Sequence, residues 1–427
     1  MVIYRDNSTG IAASNSRDYA GRVPGFQGTG PSLVIVITSM RGTSCENRNG
    51  IMRIASLCSG ESATMFKNTM FKKTGLAIIG CWLAVSAPFA AGQSCPREPR
   101  DFLSQTMGFS AFEIQQVEQG AAVARTLKSE KHEVATLGLV LIRAPREFYV
   151  EQFRDIEKLK KSQNVLQVKK LSDPPRLEDF NDVALTSQET HDLQKCRAGQ
   201  CSFKISAEMI ARLHERADQP AADAKAQDAS FFRKILLEYI ETYLASGNRA
   251  MMTYNDKDRP VSTSEEFNGF LDQSPYLSAC APEFSQYLRN FPSQALPSVE
   301  NFIYWSKENY SQDLKPVLTV THVSIYQPAV NGEWNHAPGG PFVLASKQIY
   351  AAHYYESSLG LTLLLDAQTE SGGPAFYMVY VNRSTIDLLR KWYSGLARGR
   401  VSSRVRDSMK INMMQLKQRI ERLYCGD

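Results

Sequence analysis

The sequence lacks the compact signatures of several enzyme classes. It has no G-x-S-x-G pentapeptide, which forms the nucleophile turn of serine hydrolases, and no G-x-x-x-x-G-K-[ST] loop for nucleotide phosphates. Histidine is scarce, with 6 among 427 residues, and no H-E-x-x-H pair is present for zinc. We therefore expect no metal and no cofactor, and binding without chemical turnover becomes the leading class of function.

A basic excess is missing from most of the chain. Residues 1–92 hold nine of the 49 Lys and Arg and four of the 44 Asp and Glu, so the rest carries 40 of each sign. Binding to nucleic acid through its phosphates needs a basic domain, so nucleic acid is not an expected partner. One local excess remains, because residues 383–422 carry eleven basic and three acidic side chains. Peripheral membrane contact through these C-terminal helices stays open, against pairing with acids of the same chain.

The apolar run Leu76–Phe89 is too short for a membrane span, which needs ~20 residues. It follows three lysines between residues 67 and 73 and ends in small residues around Ala91, which is the layout of a secretory signal. We therefore expect residues 65–92 to be a signal peptide cleaved near Ala91. Residues 1–64 are then a non-native, disordered upstream extension, and the mature protein is periplasmic or secreted from a bacterium.

Five of the eight cysteines follow the expected cleavage point. Two of them, Cys196 and Cys201, flank a short loop in which Gly199 lets the chain fold back, so a local disulfide is feasible. A zinc or redox pair is the alternative, but the C-x4-C spacing has neither a second pair nor the C-x-x-C form. A disulfide would fit an oxidising compartment.

Beyond the expected signal, the apolar pattern predicts an α+β protein. Residues 93–204 form the N-terminal part of the α+β domain, and residues 205–312 are predominantly helical and are interpreted as an insertion. Residues 313–427 contain four consecutive strands, an antiparallel meander, and then C-terminal helices. The last helix is long, and its apolar positions form one seam: Val405, Met409, Met413, Leu416, Ile420 and Leu423.

The sequence predicts a strand, then Ala144-Pro145, then a helix with Phe148 and Phe153, and then another strand. This order resembles the opening of START-like, or Bet v1-like, helix-grip proteins. Those proteins also end in a meander and a long helix. The resemblance covers residues 122–171 and 313–424. It implies an antiparallel sheet with the long C-terminal helix across it, and a cavity between them that takes lipids, sterols or other apolar molecules. Stretches such as KCRAGQC also resemble uncharacterised exported bacterial proteins.

The candidate site follows from this implied cavity. Its expected apolar and aromatic walls are Tyr350, Tyr354, Phe376, Met378, Tyr380, Met409 and Met413. Lys347 and Arg383 are candidates to hold a carboxylate or phosphate headgroup at the rim. Each of these positions equally fits ordinary core packing or an ion pair within the protein.

We therefore predict an exported protein that binds an apolar or amphipathic, lipid-like small molecule without turnover. Two alternatives remain open. One is an enzyme of unknown reaction that uses His322 and His353, which adjacent strands would bring together. The other is an envelope interaction protein without a pocket.

Overall fold

A computed structural model describes residues 95–426, apart from residue 131 and segments 218–223, 311–313, 329–339, 370–371 and 391–393. The expected upstream extension and signal peptide lie outside the described residues. Within the described ranges, no helix combines the length and the apolar character that crossing a bilayer requires.

Helices and strands alternate first and then separate into blocks along the chain. The helices are α1 Pro99–Asp101, α2 Ala111–Glu118, α3 Arg146–Arg154, α4 Ile156–Leu159, α5 Ser187–Gln194, α6 Ala207–Ala217, α7 Ala224–Ser246, α8 Thr263–Asp272, α9 Pro275–Cys280, α10 Pro282–Asn290 and α11 Ser394–Cys425. The strands are β1 Ala122–Thr126, β2 Glu133–Ile142, β3 Val165–Lys170, β4 Thr253–Tyr254, β5 Val261–Ser262, β6 Val299–Glu308, β7 Val317–Tyr326, β8 Phe342–Ala351, β9 Tyr355–Ala367 and β10 Ala375–Ile386.

Eight of these strands form one antiparallel sheet in the order β1-β2-β10-β9-β8-β7-β6-β3. The short helices α3 and α4 connect β2 near one edge to β3 at the opposite edge. The long helix α11 packs across β1 and β2. The predicted α+β class, with an antiparallel sheet and a long C-terminal helix across it, is confirmed.

Three strands lie in a stretch that the sequence predicts to be predominantly helical, namely the short pair β4 and β5 and the longer β6. Residues 205–312 contain helices α6 to α10, but Val299–Glu308 is β6, a full member of the sheet. From Phe302 onward every residue of β6 is buried, because both faces of the sheet are covered. A strand covered on both faces does not alternate between apolar and polar residues, so the usual strand signal is absent. The meander therefore has five strands instead of four.

The sheet lies between two helical layers. One face packs against α2 and α5 to α10 through the largest apolar core of the described residues. The other face packs against α3, α4 and α11. Neighbouring side chains on β10 alternate between the two, since Phe376 and Met378 face α11 while Tyr377 and Val379 face the larger helical layer.

Disulfide bonds and a close helix–sheet contact at Gly138 hold these layers together. The predicted disulfide Cys196–Cys201 is present, and a second one joins Cys95 to Cys280 at a sequence separation of 185 residues. On β2, a side chain at Gly138 would overlap the sulfur of Met413. Glycine at this position therefore lets α11 lie close to the sheet.

Candidate ligand-binding site

The α11-facing side of the sheet carries two apolar clusters with a polar belt between them. Along β10, Phe376 and Met378 belong to the first cluster and Ile386 to the second, and polar residues separate them. The same order recurs on β2, where Val140 and Val134 belong to the two clusters. The polar belt consists of Thr136, Lys160, Ser306, Glu308, Thr321, Ser346, Gln348, Ser358, Thr362, Tyr380, Asn382 and Ser384.

Several belt residues keep accessible surface in the middle of the sheet. Ser346, Ser358, Tyr380 and Asn382 are partly exposed, although their neighbours along each strand are buried. They are adjacent, because Ser346 and Asn382 both pair with Gly360 in the sheet. Their side chains point toward α3, α4 and α11. At these positions, therefore, the α11-facing side of the sheet is not fully covered by other residues.

An ion pair lies at the β6 side of the belt. Lys160, just after α4, places its Nζ 2.8 Å from Glu308 Oε1 and 5.5 Å from the centre of the Tyr304 ring. Burial alone would lower the pKa of Lys160, but the Glu308 carboxylate raises it above its ordinary value. Burial would likewise raise the pKa of Glu308, but Lys160 lowers it. Both groups are therefore charged at neutral pH, and together they are neutral.

Lys160 is the more accessible partner of this ion pair. Protein atoms surround it densely, yet 25% of its side-chain surface is accessible, against 9% for Glu308. Ser306 Oγ donates a hydrogen bond to Glu308 Oε1 at 2.6 Å, which helps to hold that carboxylate in place. The ammonium group is thus the more accessible partner.

The belt contains polar atoms that no protein group satisfies. Within the described residues, Gln348 Nε2 and Thr136 Oγ1 are buried without a hydrogen-bond partner. Ser358 and Ser384 share a hydrogen bond of 2.8 Å, and burial raises the pKa of Tyr380, so its hydroxyl stays protonated. Both unsatisfied atoms have almost no accessible surface.

The structure places the predicted wall residues on both faces of the sheet. Five lie together on the α11-facing side: Phe376, Met378, Tyr380, Met409 and Met413. Tyr350 packs instead in the core on the opposite face. Strict alternation from Ser346 would turn Tyr350 toward α11, but the pairing between β7 and β8 shifts at Val320 and Thr321 and reverses it. Tyr354 packs at the edge of the second cluster, where its hydroxyl accepts a hydrogen bond from the Lys315 amide.

Lys347 lies on the opposite face, away from the belt. It is 1% exposed, and its Nζ donates to Asn248 Oδ1 at 2.7 Å. The rings of Tyr243, Phe267 and Phe291 surround it at 4.8, 4.8 and 5.2 Å from Nζ to ring centre. Burial lowers its pKa to about 7. The site is an aromatic cage that is closed to solvent.

Arg383 is an internal structural cation. Its guanidinium lies 2.5 Å from Glu133 Oε1, and it donates to the backbone oxygen of Gln273 at 2.8 Å. Arg383 is 5% exposed and Glu133 is 1% exposed. The pair joins β10 and β2 to the end of α8, on the face away from the belt.

The two candidate catalytic histidines lie in separate clusters. His322 Nδ1 is 2.7 Å from the Tyr243 hydroxyl, and its Nε2 is 3.0 Å from Asn301 Oδ1. His353 Nδ1 is 2.7 Å from the Ser202 carbonyl, at the turn between β8 and β9. Burial lowers the pKa of His353 to about 4 and that of His322 well below its ordinary value. Both are therefore neutral, buried side chains with different partners.

Several basic side chains of α11 bind the body of the protein. Arg398 donates to the Ser129 carbonyl at 2.7 Å, and Lys417 donates to the Leu141 carbonyl at 2.8 Å. Arg419 donates at 2.8 Å to the Leu159 carbonyl at the end of α4. These three cations therefore fasten the helix, which reduces the charge that is free for a membrane surface.

One cluster with metal-ligand chemistry had no motif to reveal it. His132, Glu266 and Glu356 bring ligand atoms within 4.8 Å of one another. Arg390 donates to Glu356 at 2.6 and 2.7 Å and to Glu266 at 2.7 Å, and it therefore supplies the positive charge at this position. His132, Glu266 and Glu356 come from three distant segments of the chain, so no sequence motif predicts the cluster.

An open groove of about 1200 Å³ lies beside α1, α2 and the ends of β2 and β9. Its basic and acidic side chains are largely paired with each other, as in the contacts of Arg100 with Glu118 and of Arg146 with Asp366. No local sequence pattern predicts this groove, because its walls come from six separate segments.

No family profile matches this chain, and no curated protein matches it.

Proposed function

We propose that this chain is an exported helix-grip protein that binds an amphipathic small molecule between its sheet and α11, without chemical turnover. The observation that carries the proposal is the accessible surface on Ser346, Ser358, Tyr380 and Asn382, in the middle of a sheet covered on both faces. Space bordered by both apolar and polar side chains is the common form of a small-molecule site.

The element order supports the helix-grip part of the proposal. One long strand, two short helices and a strand at the far edge precede a five-stranded meander and a long helix. That is the order which the resemblance implies, with α6 to α10 inserted before the meander. The disulfides Cys95–Cys280 and Cys196–Cys201 support export, since disulfides persist in oxidising compartments.

The arrangement of clusters supports an amphipathic guest. The polar belt lies between two apolar clusters, so a molecule in the space would meet hydrogen-bonding groups at its middle or end and apolar walls elsewhere. Met409 and Met413 of α11 line the first cluster, and methionine side chains adapt readily to different shapes.

Filling the space tests the proposal. The probe is N-phenyl-1-naphthylamine, an uncharged dye whose fluorescence rises in apolar surroundings. The wild type should bind it, and Ser346→Trp should reduce its affinity by roughly tenfold or more, because the indole would occupy the space. Ser346→Ala is the matched control and should bind the dye as the wild type does.

Circular dichroism verifies that both variants fold. The proposal is wrong if the folded wild type does not bind the dye, or if Ser346→Trp folds and binds it unchanged. Native mass spectrometry of the freshly purified protein provides a second check, in which a co-purifying apolar molecule is expected.

A further inference from the structure

We infer that the open groove beside α1 and α2 is a second binding site, which takes an organic anion, either a carboxylate or a phosphate ester, on two arginines of its walls. The inference goes beyond the proposed function, because the groove and the polar belt lie in different places. The buried apolar lining of the groove belongs to the core on the face of the sheet away from α11, whereas the belt lies on the α11-facing side.

The groove offers accessible volume beside an apolar lining. It holds about 1200 Å³ and is open to solvent, so it exceeds the ~300–1000 Å³ of most small-molecule sites. Four of its lining residues are buried members of the large core: Phe102, Leu141, Leu365 and Tyr377. An organic molecule therefore reaches the walls of the groove without any rearrangement of the core.

One wall of the groove is fixed before any ligand binds. Cys95, at the start of this wall, forms a disulfide with Cys280. Arg100 Nε donates to Glu118 Oε1 at 2.8 Å and joins α1 to α2, and the Tyr377 hydroxyl donates to the same carboxylate. Burial alone would raise the pKa of Glu118, but these hydrogen bonds lower it, so the carboxylate is charged and engaged. A fixed wall reduces the cost of ordering the site on binding.

Ion pairs within the protein use only part of the charge in the groove. Four arginines and three acidic residues line it. Arg100 pairs with Glu118, and Arg146 Nε lies 3.2 Å from Asp366 Oδ1. Arg146 also pairs with Glu147, and only 3% of its side chain is exposed. Arg100 and Arg146 are therefore already engaged by carboxylates of the same chain.

The other two arginines of the groove are unpaired. Within the described residues, no acidic side chain forms an ion pair with Arg97 or Arg143, and both arginines are exposed. Glu98 is the one unpaired acid among the described lining residues. An anion therefore meets two guanidinium groups without breaking an ion pair, whereas a cation meets a single carboxylate.

The polar groups of the walls suit an oxyanion. A guanidinium group presents a planar set of donors that binds two oxygens of a carboxylate or phosphate at once. Three exposed lining glutamines supply further donors: Gln115, Gln119 and Gln368. A cleft with low-dielectric walls also strengthens the attraction between a bound charge and the charges of the walls.

Isothermal titration calorimetry with three small aromatic compounds tests the inference. At about pH 7.5 isophthalate and phenyl phosphate are anions, and isophthalamide has nearly the shape of isophthalate without its charge. At least one anion should bind roughly tenfold or more tightly than isophthalamide, and the tighter anion identifies the oxyanion that the groove prefers. Absence of binding by both anions, or equal binding of isophthalamide, would overturn the inference.

Charge variants locate the bound anion. Arg97→Gln and Arg143→Gln should each weaken binding of the tighter anion roughly fivefold, and Glu98→Gln should strengthen it about threefold. Arg249→Gln is the matched control, because Arg249 is an exposed arginine that does not line the groove. All these side chains are exposed, and circular dichroism verifies that the variants fold. Unchanged affinity in the folded Arg97 and Arg143 variants contradicts the inference.

Competition with N-phenyl-1-naphthylamine separates this site from the proposed function. The anion should leave binding of the dye unchanged, because the dye binds on the α11-facing side. Displacement of the dye by the anion would overturn the assignment to the groove. Binding of the anion to a folded protein that does not bind the dye would overturn the proposed function and leave this inference standing.

Discussion

The buried Lys347 should make the stability of this protein rise with pH, and Lys347→Met should remove most of that rise. The folded pKa is about 7, whereas lysine in an unfolded chain titrates near 10.4. Between these values the unfolded chain binds the proton and the folded protein does not, so folding becomes more favourable as pH increases. At ~1.36 kcal/mol per pH unit, the wild type should gain about 3 kcal/mol of unfolding free energy from this residue between pH 7 and pH 10.

At pH 7 the stabilising and destabilising effects of Lys347→Met on the unfolding free energy are similar in size. Methionine removes an energetic penalty of ~4 kcal/mol for burying the ammonium, but it leaves Asn248 Oδ1 without its donor, which costs about 1–3 kcal/mol. It also loses the attraction of three aromatic rings, worth ~0.5–2 kcal/mol. We expect the stability of the variant to lie between a loss of about 1 kcal/mol and a gain of about 2.5 kcal/mol.

Urea denaturation followed by circular dichroism at pH 7 and pH 10 measures both effects. Lys169→Met is the control, since this strand lysine has 44% of its side chain exposed and its replacement should change the unfolding free energy only slightly. The reasoning is refuted if the difference between wild type and Lys347→Met is the same at both pH values.

Three further predictions concern stability. Burial lowers the pKa of His353 to about 4 in the folded protein, so as pH falls from 6.5 toward 4 the unfolded chain takes up the proton first. The free energy of unfolding should therefore fall by ~2–3 kcal/mol over this range. His353→Leu should reduce that fall, as measured by urea titrations at the two pH values. Replacing Cys95 and Cys280 together by alanine should cost ~3–5 kcal/mol, since their bond closes a long loop, and a lowered melting temperature would show it. Gly138→Ala should cost about 1–3 kcal/mol by forcing the Met413 side chain out of its buried position, whereas Gly269→Ala in α8, where a side chain meets open space, should be neutral or slightly stabilising. Equal effects of the two glycine variants would contradict the close approach of α11.

The terminal helix and the local disulfide could be predicted because their signals are local. The seam that includes Met409 and Met413 repeats at helical spacing, and both side chains are buried against the sheet. Cys196 and Cys201 are five residues apart, so the loop between them alone determines whether they can meet.

The site was only partly predictable, because its members meet across the sheet. Polar residues at alternate positions of β10, including Tyr380 and Asn382, were a readable signal of a polar surface on one face. Their contact with Lys160, from the loop after α4, depends on which strands are neighbours. Tyr350 shows a second limit, since one shift of register changed its face and no residue type marks that shift.

The position of β10 has a consequence for how the chain reaches this state. This late segment lies between β2 and β9, and it hydrogen bonds along almost the whole of β2, which is made some 240 residues earlier. Until residues 375–386 are available, β2 and β9 both present open edges that invite pairing with other chains. Fragments that stop before residue 375 should therefore aggregate, and the sheet cannot close until residues 375–386 have been made.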